Sequence, residues 1–264
     1  MYGFEDDYSF GIQEYSIADV REDLASVVKF FREQPYHDHA MQLFMIDYRK
    51  MPIEVVNECE CFCIDEDMPI SDFPEWMQSE PLGLVKKDYC TMWGRCVFPV
   101  KDTHGSVMGF VGWDPTTEPK YLDSKNYGYK AKATTLYGME KLPEYYTNKE
   151  PVFVTEGLMC CLYLRWKGFQ AMASLGSWLT PYQIQILRRF GNRLVMIPDN
   201  DETGDKYVKQ IKRELPKALI AQVKFGKDID GCRKCEDGIY EKELLNDLKI
   251  ISNPFARTNI LMRR

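Results

Sequence analysis

The sequence predicts an α/β protein: a parallel sheet flanked by helices, preceded by a smaller mixed α/β subdomain. Three observations point there. The runs Val152-Phe153-Val154, Leu194-Val195-Met196-Ile197 and Leu219-Ile220-Ala221-Gln222-Val223 are short and apolar, and each is followed by acid: Glu156, then Asp199 and Asp201, then Asp228 and Asp230. The segments between the runs are long enough for crossover helices, so the runs read as parallel strands whose acids share one sheet edge. Upstream, Cys96 to Lys101 and Ser106 to Trp113 bracket the turn Asp102-Thr103-His104-Gly105 and read as a hairpin.

The elements follow in chain order. A helix is expected from Ile17 to Phe31 behind Ser16 as N-cap. A second is expected through Met41-Gln42-Leu43-Phe44, and a third opens at Met51-Pro52-Ile53-Glu54, where proline is tolerated in the first turn. After the hairpin, strand and helix alternate from Val152 onward. Gly157 sits where a strand hands over to a helix and leaves the backbone open to close approach by phosphate or metal. Thr180-Pro181 is an N-cap followed by proline at the first helical position, starting a helix that ends near Phe190-Gly191. The turn Asp199-Asn200-Asp201-Glu202-Thr203-Gly204 leads into a helix carrying Lys206, Lys209, Lys212 and Arg213.

The charge distribution says more than the net charge of −6. Residues 1 to 80 hold 19 acidic and 5 basic side chains; residues 81 to 264 carry a balance of +8. A basic working surface with an acidic appendage is the expectation, because phosphate affinity depends on local lysines and arginines. The longest apolar run, Leu158 to Leu164, is far short of a membrane span, and Met1-Tyr2-Gly3-Phe4-Glu5-Asp6-Asp7 lacks the regions of a signal peptide, so a cytoplasmic protein is expected.

The nine cysteines include Cys232-x-x-Cys235 and the alternating Cys59, Cys61 and Cys63. Alternation puts three thiols on one strand face, and zinc sites draw paired ligands from tight turns. Buried free thiols in a reducing compartment are expected in preference to structural zinc.

Any one of the five acids could be an ordinary helix N-terminal residue. Together at equivalent strand ends they would repel one another unless cations sit between them. Mg²⁺, which prefers oxygen ligands, is the expected cofactor, with Mn²⁺ as its alternative, and phosphodiester chemistry is the natural use of two such ions.

At this point the residues resemble a known family. Glu156-Gly157, Ala173-Ser174-Leu175-Gly176, Leu179-Thr180, Asp199 to Gly204 and Gly226-Lys227-Asp228-Ile229-Asp230 are similar, in order, to the TOPRIM module of topoisomerases and bacterial-type primases. Gly94-Arg95-Cys96-Val97-Phe98-Pro99-Val100-Lys101-Asp102, Pro119-Lys120-Tyr121-Leu122-Asp123-Ser124, Leu136-Tyr137-Gly138 and Arg49 to Val56 resemble the RNA polymerase core of the DnaG-type primase. The likeness covers roughly residues 36 to 250. It implies a TOPRIM-type sheet and a division into an acidic extension (1–35), an N-terminal subdomain with a basic ridge (36–143), the metal-binding domain (144–231) and a C-terminal helical segment (232–264).

The resemblance implies template-directed synthesis of short RNA primers on single-stranded DNA from ribonucleoside triphosphates by two-metal nucleotidyl transfer. Glu156, Asp199 and Asp201 would be catalytic, with Asp228 and Asp230 completing the metal ligands, and Arg95, Lys120, Tyr121 and Lys130 would hold nucleotide and template. Residues 119 to 139 agree in chemistry, since four lysines and one aspartate are interleaved with Tyr121, Tyr127, Tyr129 and Tyr137. One departure is Leu158-Met159-Cys160, where the family commonly has a hydrophobic pair and an aspartate. Another is the absence of the family's zinc-binding module and helicase-interaction domain, which leaves three alternatives open for choosing a start site: a zinc-binding module in trans, residues 1 to 35 in its place, or initiation without much sequence preference, with a replicative helicase as a further candidate partner. A core of this size resembles phage versions. The rival readings are a TOPRIM nuclease, which would not need Lys120 and Lys130, and a non-catalytic nucleic-acid-binding protein, for which five acids would be an electrostatic burden.

Overall fold

The computed structural model describes residues 17–78, 82–125, 131–224, 226–234 and 239–252. The N-terminal body begins with helix α1 (Ile17–Arg32), followed by α2 (His37–Met41), which runs into a π-helical segment (Gln42–Tyr48), and α3 (Ile53–Cys59). Strands β1 (Phe62–Cys63), β4 (Cys96–Lys101), β5 (Val107–Trp113) and β6 (Tyr121–Asp123) form an antiparallel sheet in the order β1-β4-β5-β6, beside a small ribbon of β2 (Val85–Lys86) and β3 (Tyr89–Cys90). The hairpin expected from sequence is β4 and β5, with Cys96 opposite Trp113 and Phe98 opposite Val111.

Both faces of that sheet are covered, which explains why its strands are apolar without alternation. Val97, Val107 and Phe110 face α1, whose Leu24, Val27 and Phe31 complete one core; Phe31 stacks on Phe62 with ring centroids 5.2 Å apart. Phe98, Val100, Val111 and Trp113 face the other way, into a second core shared with the C-terminal half. Residues 17 to 32 thus contribute the apolar face of a helix to the N-terminal body. The cysteine alternation places three thiols on one face, as expected. Cys59 closes α3 and Cys63 is in β1, yet Cys59, Cys61 and Cys63 all enter the core shared with the C-terminal half while Phe62 and Ile64 enter the core under α1, so the thiols share one face although only Cys63 is in a strand. These three thiols are free and buried, as are Cys90, Cys96, Cys160 and Cys161. Cys235 lies outside the described residues.

The short α4 (Ala131–Thr134) and α5 (Leu142–Thr147) lead into the second half. There, β7 (Val152–Thr155), α6 (Leu158–Trp166), β8 (Gln170–Ala173), α7 (Pro181–Arg188), β9 (Leu194–Ile197), α8 (Glu202–Glu214) and β10 (Leu219–Ile220) alternate, and α9 (Ile229–Lys234) and α10 (Ile239–Ser252) follow. The sheet is parallel, in the order β10-β9-β7-β8. In β7, Val152 and Val154 face the core under α7 and α8, whereas Phe153 faces the core shared with the N-terminal sheet. Helix α6 is buried from Leu158 to Leu164, and so carries an uninterrupted apolar run instead of one stripe. The third expected strand stops early: β10 is Leu219–Ile220, and the Ala221 N–H still donates to the Met196 carbonyl of β9 at 2.9 Å before the regular pairing ends. Among the described residues no helix is long and apolar enough to cross a membrane.

Candidate metal and nucleotide site

The parallel strands deliver their C-terminal ends to one edge. Glu156 follows β7, and Thr155 fixes the exit by donating its hydroxyl hydrogen to the Gly157 carbonyl at 2.9 Å. Glu156 is buried, and its Oε1 accepts the backbone N–H of Asp199 at 3.0 Å, which ties the end of β7 to the turn after β9. Asp201 is the N-cap of α8; its Oδ1 accepts from Gly204 N–H at 2.8 Å. Gly204 is required there, because a Cβ would lie 1.9 Å from the Asp199 carbonyl oxygen.

The loop after β10 is held by Asn200, whose N–H donates to the Lys227 carbonyl (2.6 Å) and whose amide donates to the Val223 and Gly226 carbonyls (2.7 and 3.2 Å). This brings the Lys227 ammonium to 3.0 Å from Asp201 Oδ2 and 3.5 Å from Asp199 Oδ2. Asp228 accepts the Gly231 N–H at 2.6 Å. Asp230, in the first turn of α9, is buried and paired with Arg49 of the N-terminal body, Nη1 to Oδ2 at 2.6 Å. The Arg49 guanidinium lies 4.1 Å from the centre of the Trp113 ring.

The electrostatics are those of an anionic edge short of positive charge. Burial, with Asp199 and Asp201 nearby, pushes the Glu156 carboxyl up to about 7 against the opposing effect of the Asp199 N–H. Burial and the neighbouring Asp228 push Asp199 up to about 6, although Lys227 opposes them. Asp201 moves the other way, held below the usual carboxylate range by the Gly204 N–H and by Lys227. Lys227 is itself raised, first by its hydrogen bond to Asp201.

The five acids named from sequence therefore stand along one sheet edge, but their oxygens are not gathered on a common point. Among the described residues no three His, Cys, Asp or Glu side chains are disposed to hold one metal ion. Asp230 is engaged by Arg49, and Lys227 bridges Asp199 and Asp201.

The basic residues are distributed unevenly. Arg95 is buried and its guanidinium is used internally, donating to Thr117 Oγ1 (2.9 Å) and to the Pro119 and Lys120 carbonyls (both 3.2 Å). Gly112 makes room for it, since a Cβ there would meet Arg95 Cδ at 2.9 Å. Arg95 thus shapes the turn that presents Lys120, which is exposed. Tyr121 has an exposed ring, while burial around its hydroxyl raises that group's pKa; Arg49 opposes the shift, and Cys160, Asp230 and Asp228 add to it. Tyr121 of the N-terminal sheet is thus close enough to Asp228 and Asp230 after β10 to feel their charge. Lys130 lies outside the described residues.

Two participants were not singled out from sequence: Arg49 and Lys227. Lys227 stood within a quoted motif with no role. For Arg49 a signal existed, because Arg49 and Lys50 are the only basic residues between Glu33 and Glu80.

Comparison with known proteins agrees with this two-part construction. The sequence profile of the DNA primase catalytic core, N-terminal domain, matches residues 21–143, and a Toprim-like profile matches residues 153–232. A DNA primase of Legionella pneumophila is 32% identical over 128 residues, which is 46% of this chain and 22% of that protein. The chain thus aligns with about a fifth of the length of this curated relative. Among solved structures, a DnaG primase catalytic domain bound to single-stranded DNA superposes with a TM-score of 0.69 at 23% identity, covering 91% of this chain and 89% of that one. The zinc-binding and RNA polymerase domains of the Aquifex aeolicus primase give 0.69 at 22% identity, covering 90% and 63%. At that identity the structural likeness speaks for the fold.

Proposed function

We propose that this chain, a member of the DnaG-type primase family carrying that family's TOPRIM domain, catalyses template-directed RNA synthesis on single-stranded DNA. In the reaction a ribonucleotide 3′-hydroxyl oxygen forms a bond to the α-phosphorus of a ribonucleoside triphosphate, the α–β phosphoanhydride bond breaks, and pyrophosphate leaves.

The observation that carries this reading is the alignment of Glu156, Asp199, Asp201, Asp228 and Asp230 on one sheet edge facing Arg49 and Tyr121 of the other half. The donor set fits Mg²⁺ or Mn²⁺, being all carboxylate oxygen. The Lys227 ammonium between Asp199 and Asp201 marks where positive charge is stabilised, while burial first and neighbouring carboxylates second raise the Glu156 and Asp199 pKa values. When bound there, a pair of divalent ions would lower the cost of ionising the hydroxyl and offset charge on the departing oxygens.

The chain's own residues do the rest. Glu156 and Asp199, tied together through the Asp199 N–H, and Asp201, fixed as a helix cap, are anchored at the edge, and their oxygens would turn toward a bound cation as Lys227 withdraws. Lys227 would exchange its contact with the carboxylates for a triphosphate oxygen, and Lys120, on the turn shaped by Arg95, would engage phosphates of nucleotide or template. The test is incubation with single-stranded DNA, labelled ribonucleotides and Mg²⁺, scoring both new oligonucleotides and template breakdown. New strands complementary to the template support the reading; breakdown without synthesis assigns a nuclease.

A further inference from the structure

The loop joining β8 to α7 leaves the same edge of the parallel sheet as Glu156 and carries the exposed Trp178 (58%), and the first turn of α7 carries the exposed Tyr182 (45%). An exposed tryptophan on a floppy segment would mean little, but this segment is closely braced. Ser174 N–H donates to the Thr155 carbonyl at 2.9 Å, one residue before Glu156, and Ser174 Oγ donates to the Gly176 carbonyl at 2.6 Å. Leu175 between them is held at φ +58°, a conformation that a branched side chain adopts only when its surroundings impose it. On the far side of Trp178, the Leu179 peptide makes paired 2.8 Å hydrogen bonds with the buried Gln210 amide of α8, and Thr180 with Gln183 closes a capping box.

The brace also reaches the lysine- and tyrosine-rich segment. Thr180 Oγ1 donates to the Ala133 carbonyl at 2.7 Å, and the Gln183 amide donates to the Thr135 carbonyl at 2.8 Å. Trp178 therefore stands on a braced segment between the acidic sheet edge and the end of α4 at Ala133 and Thr135. Lys206, one turn before Gln210 on the neighbouring helix, is also exposed. An exposed indole on a braced backbone suits an unpaired nucleobase: stacking is indifferent to base identity, and a backbone already held in place loses little freedom on binding.

We propose that Trp178, assisted by Tyr182, is a base-stacking platform for single-stranded DNA, guiding the template strand past the acidic edge. The identity of that strand rests on the primase reading above. The test is equilibrium binding of a fluorescein-labelled oligo(dT) to the full chain, without ribonucleotides, across a salt series, for the unaltered protein, Trp178→Ala and Trp178→Phe. Unfolding midpoints establish that the variants fold. Loss of one stacked base predicts weakening by about 5- to 100-fold in Trp178→Ala, with most affinity kept in Trp178→Phe. The salt slope should be unchanged, because no phosphate contact is removed. Trp178→Ala binding within twofold of the unaltered protein overturns the platform and assigns the patch to a protein partner, leaving the primase reading intact. Failure of the unaltered protein to bind oligo(dT) overturns both.

Discussion

Arg49 and Asp230, 181 residues apart in the chain, meet through a 2.6 Å contact between Nη1 and Oδ2 in a buried position, with Trp113 against the guanidinium. The pair fastens the N-terminal body to the TOPRIM half at the very edge where the acids stand. A buried pair contributes little net stability relative to apolar groups of the same size, whereas removal of one partner strands the other charge. Arg49→Ala should therefore lower unfolding stability by about 3–5 kcal/mol in urea titration. Arg49→Met combined with Asp230→Leu should recover most of the loss. Equal losses in the single and double variants would show that the arginine acts through packing on Trp113 and not through the carboxylate.

The raised carboxyls at the edge give a pH dependence of definite sign. Glu156 titrates near 7 and Asp199 near 6 in the fold, above their ordinary values, so the native state holds more protons than the unfolded chain across the interval between. Stability from these two groups is fully present below the unfolded values and is lost as pH rises through about 7. In EDTA, Glu156→Gln should remove part of this fall, so its midpoint should exceed that of the unaltered protein more at pH 8 than at pH 5. A difference independent of pH would contradict the assignment.

Sequence made some of this legible for physical reasons. Strand ends could be found because β7 and β9 are buried on both sides and therefore continuous in apolar residues, so the acids that follow mark the sheet edge. The α7 start could be read from Thr180-Pro181, since capping chemistry is local. What could not be read are relationships set by tertiary packing: Arg49 meeting Asp230, Lys227 folding back on Asp199 and Asp201, and Arg95 directed inward to its own loop. The π-helical turn at Gln42–Tyr48 and the early end of β10 were also hidden. One seven-residue π-helical stretch is too short to shift the apolar period visibly, and an edge strand is limited by its neighbour and not by its composition.

Lys227 offers a separate readout of cation affinity. Its ammonium sits between the carboxylates that a divalent ion would take, so Lys227→Ala should leave the ion-free protein less stable. The gain in melting temperature on adding Mg²⁺ should then be larger than in the unaltered protein, because the competing charge is gone. Equal gains would place the ion elsewhere.

Gly204 tests the backbone geometry that spaces Asp199 from Asp201. A Cβ at this position would fall 1.9 Å from the Asp199 carbonyl oxygen, a backbone atom that cannot swing aside. Gly204→Ala should cost about 1–3 kcal/mol by denaturant unfolding, with the cap from Asp201 disturbed. Gly157→Ala should be much milder, since nothing lies within 4 Å of its Cβ position. Equal costs would refute the close approach.

The most direct measurement is ribonucleotide incorporation on single-stranded DNA in the presence of Mg²⁺, comparing the unaltered chain with Asp199→Asn. The substitution preserves size and keeps the Asp199 N–H on Glu156, so the fold should survive. The account predicts template-dependent oligonucleotides from the unaltered chain and a loss of roughly 100-fold or more in the variant, the scale expected when electrostatic stabilisation of the reacting groups is removed. Undiminished synthesis by a folded Asp199→Asn protein would contradict it.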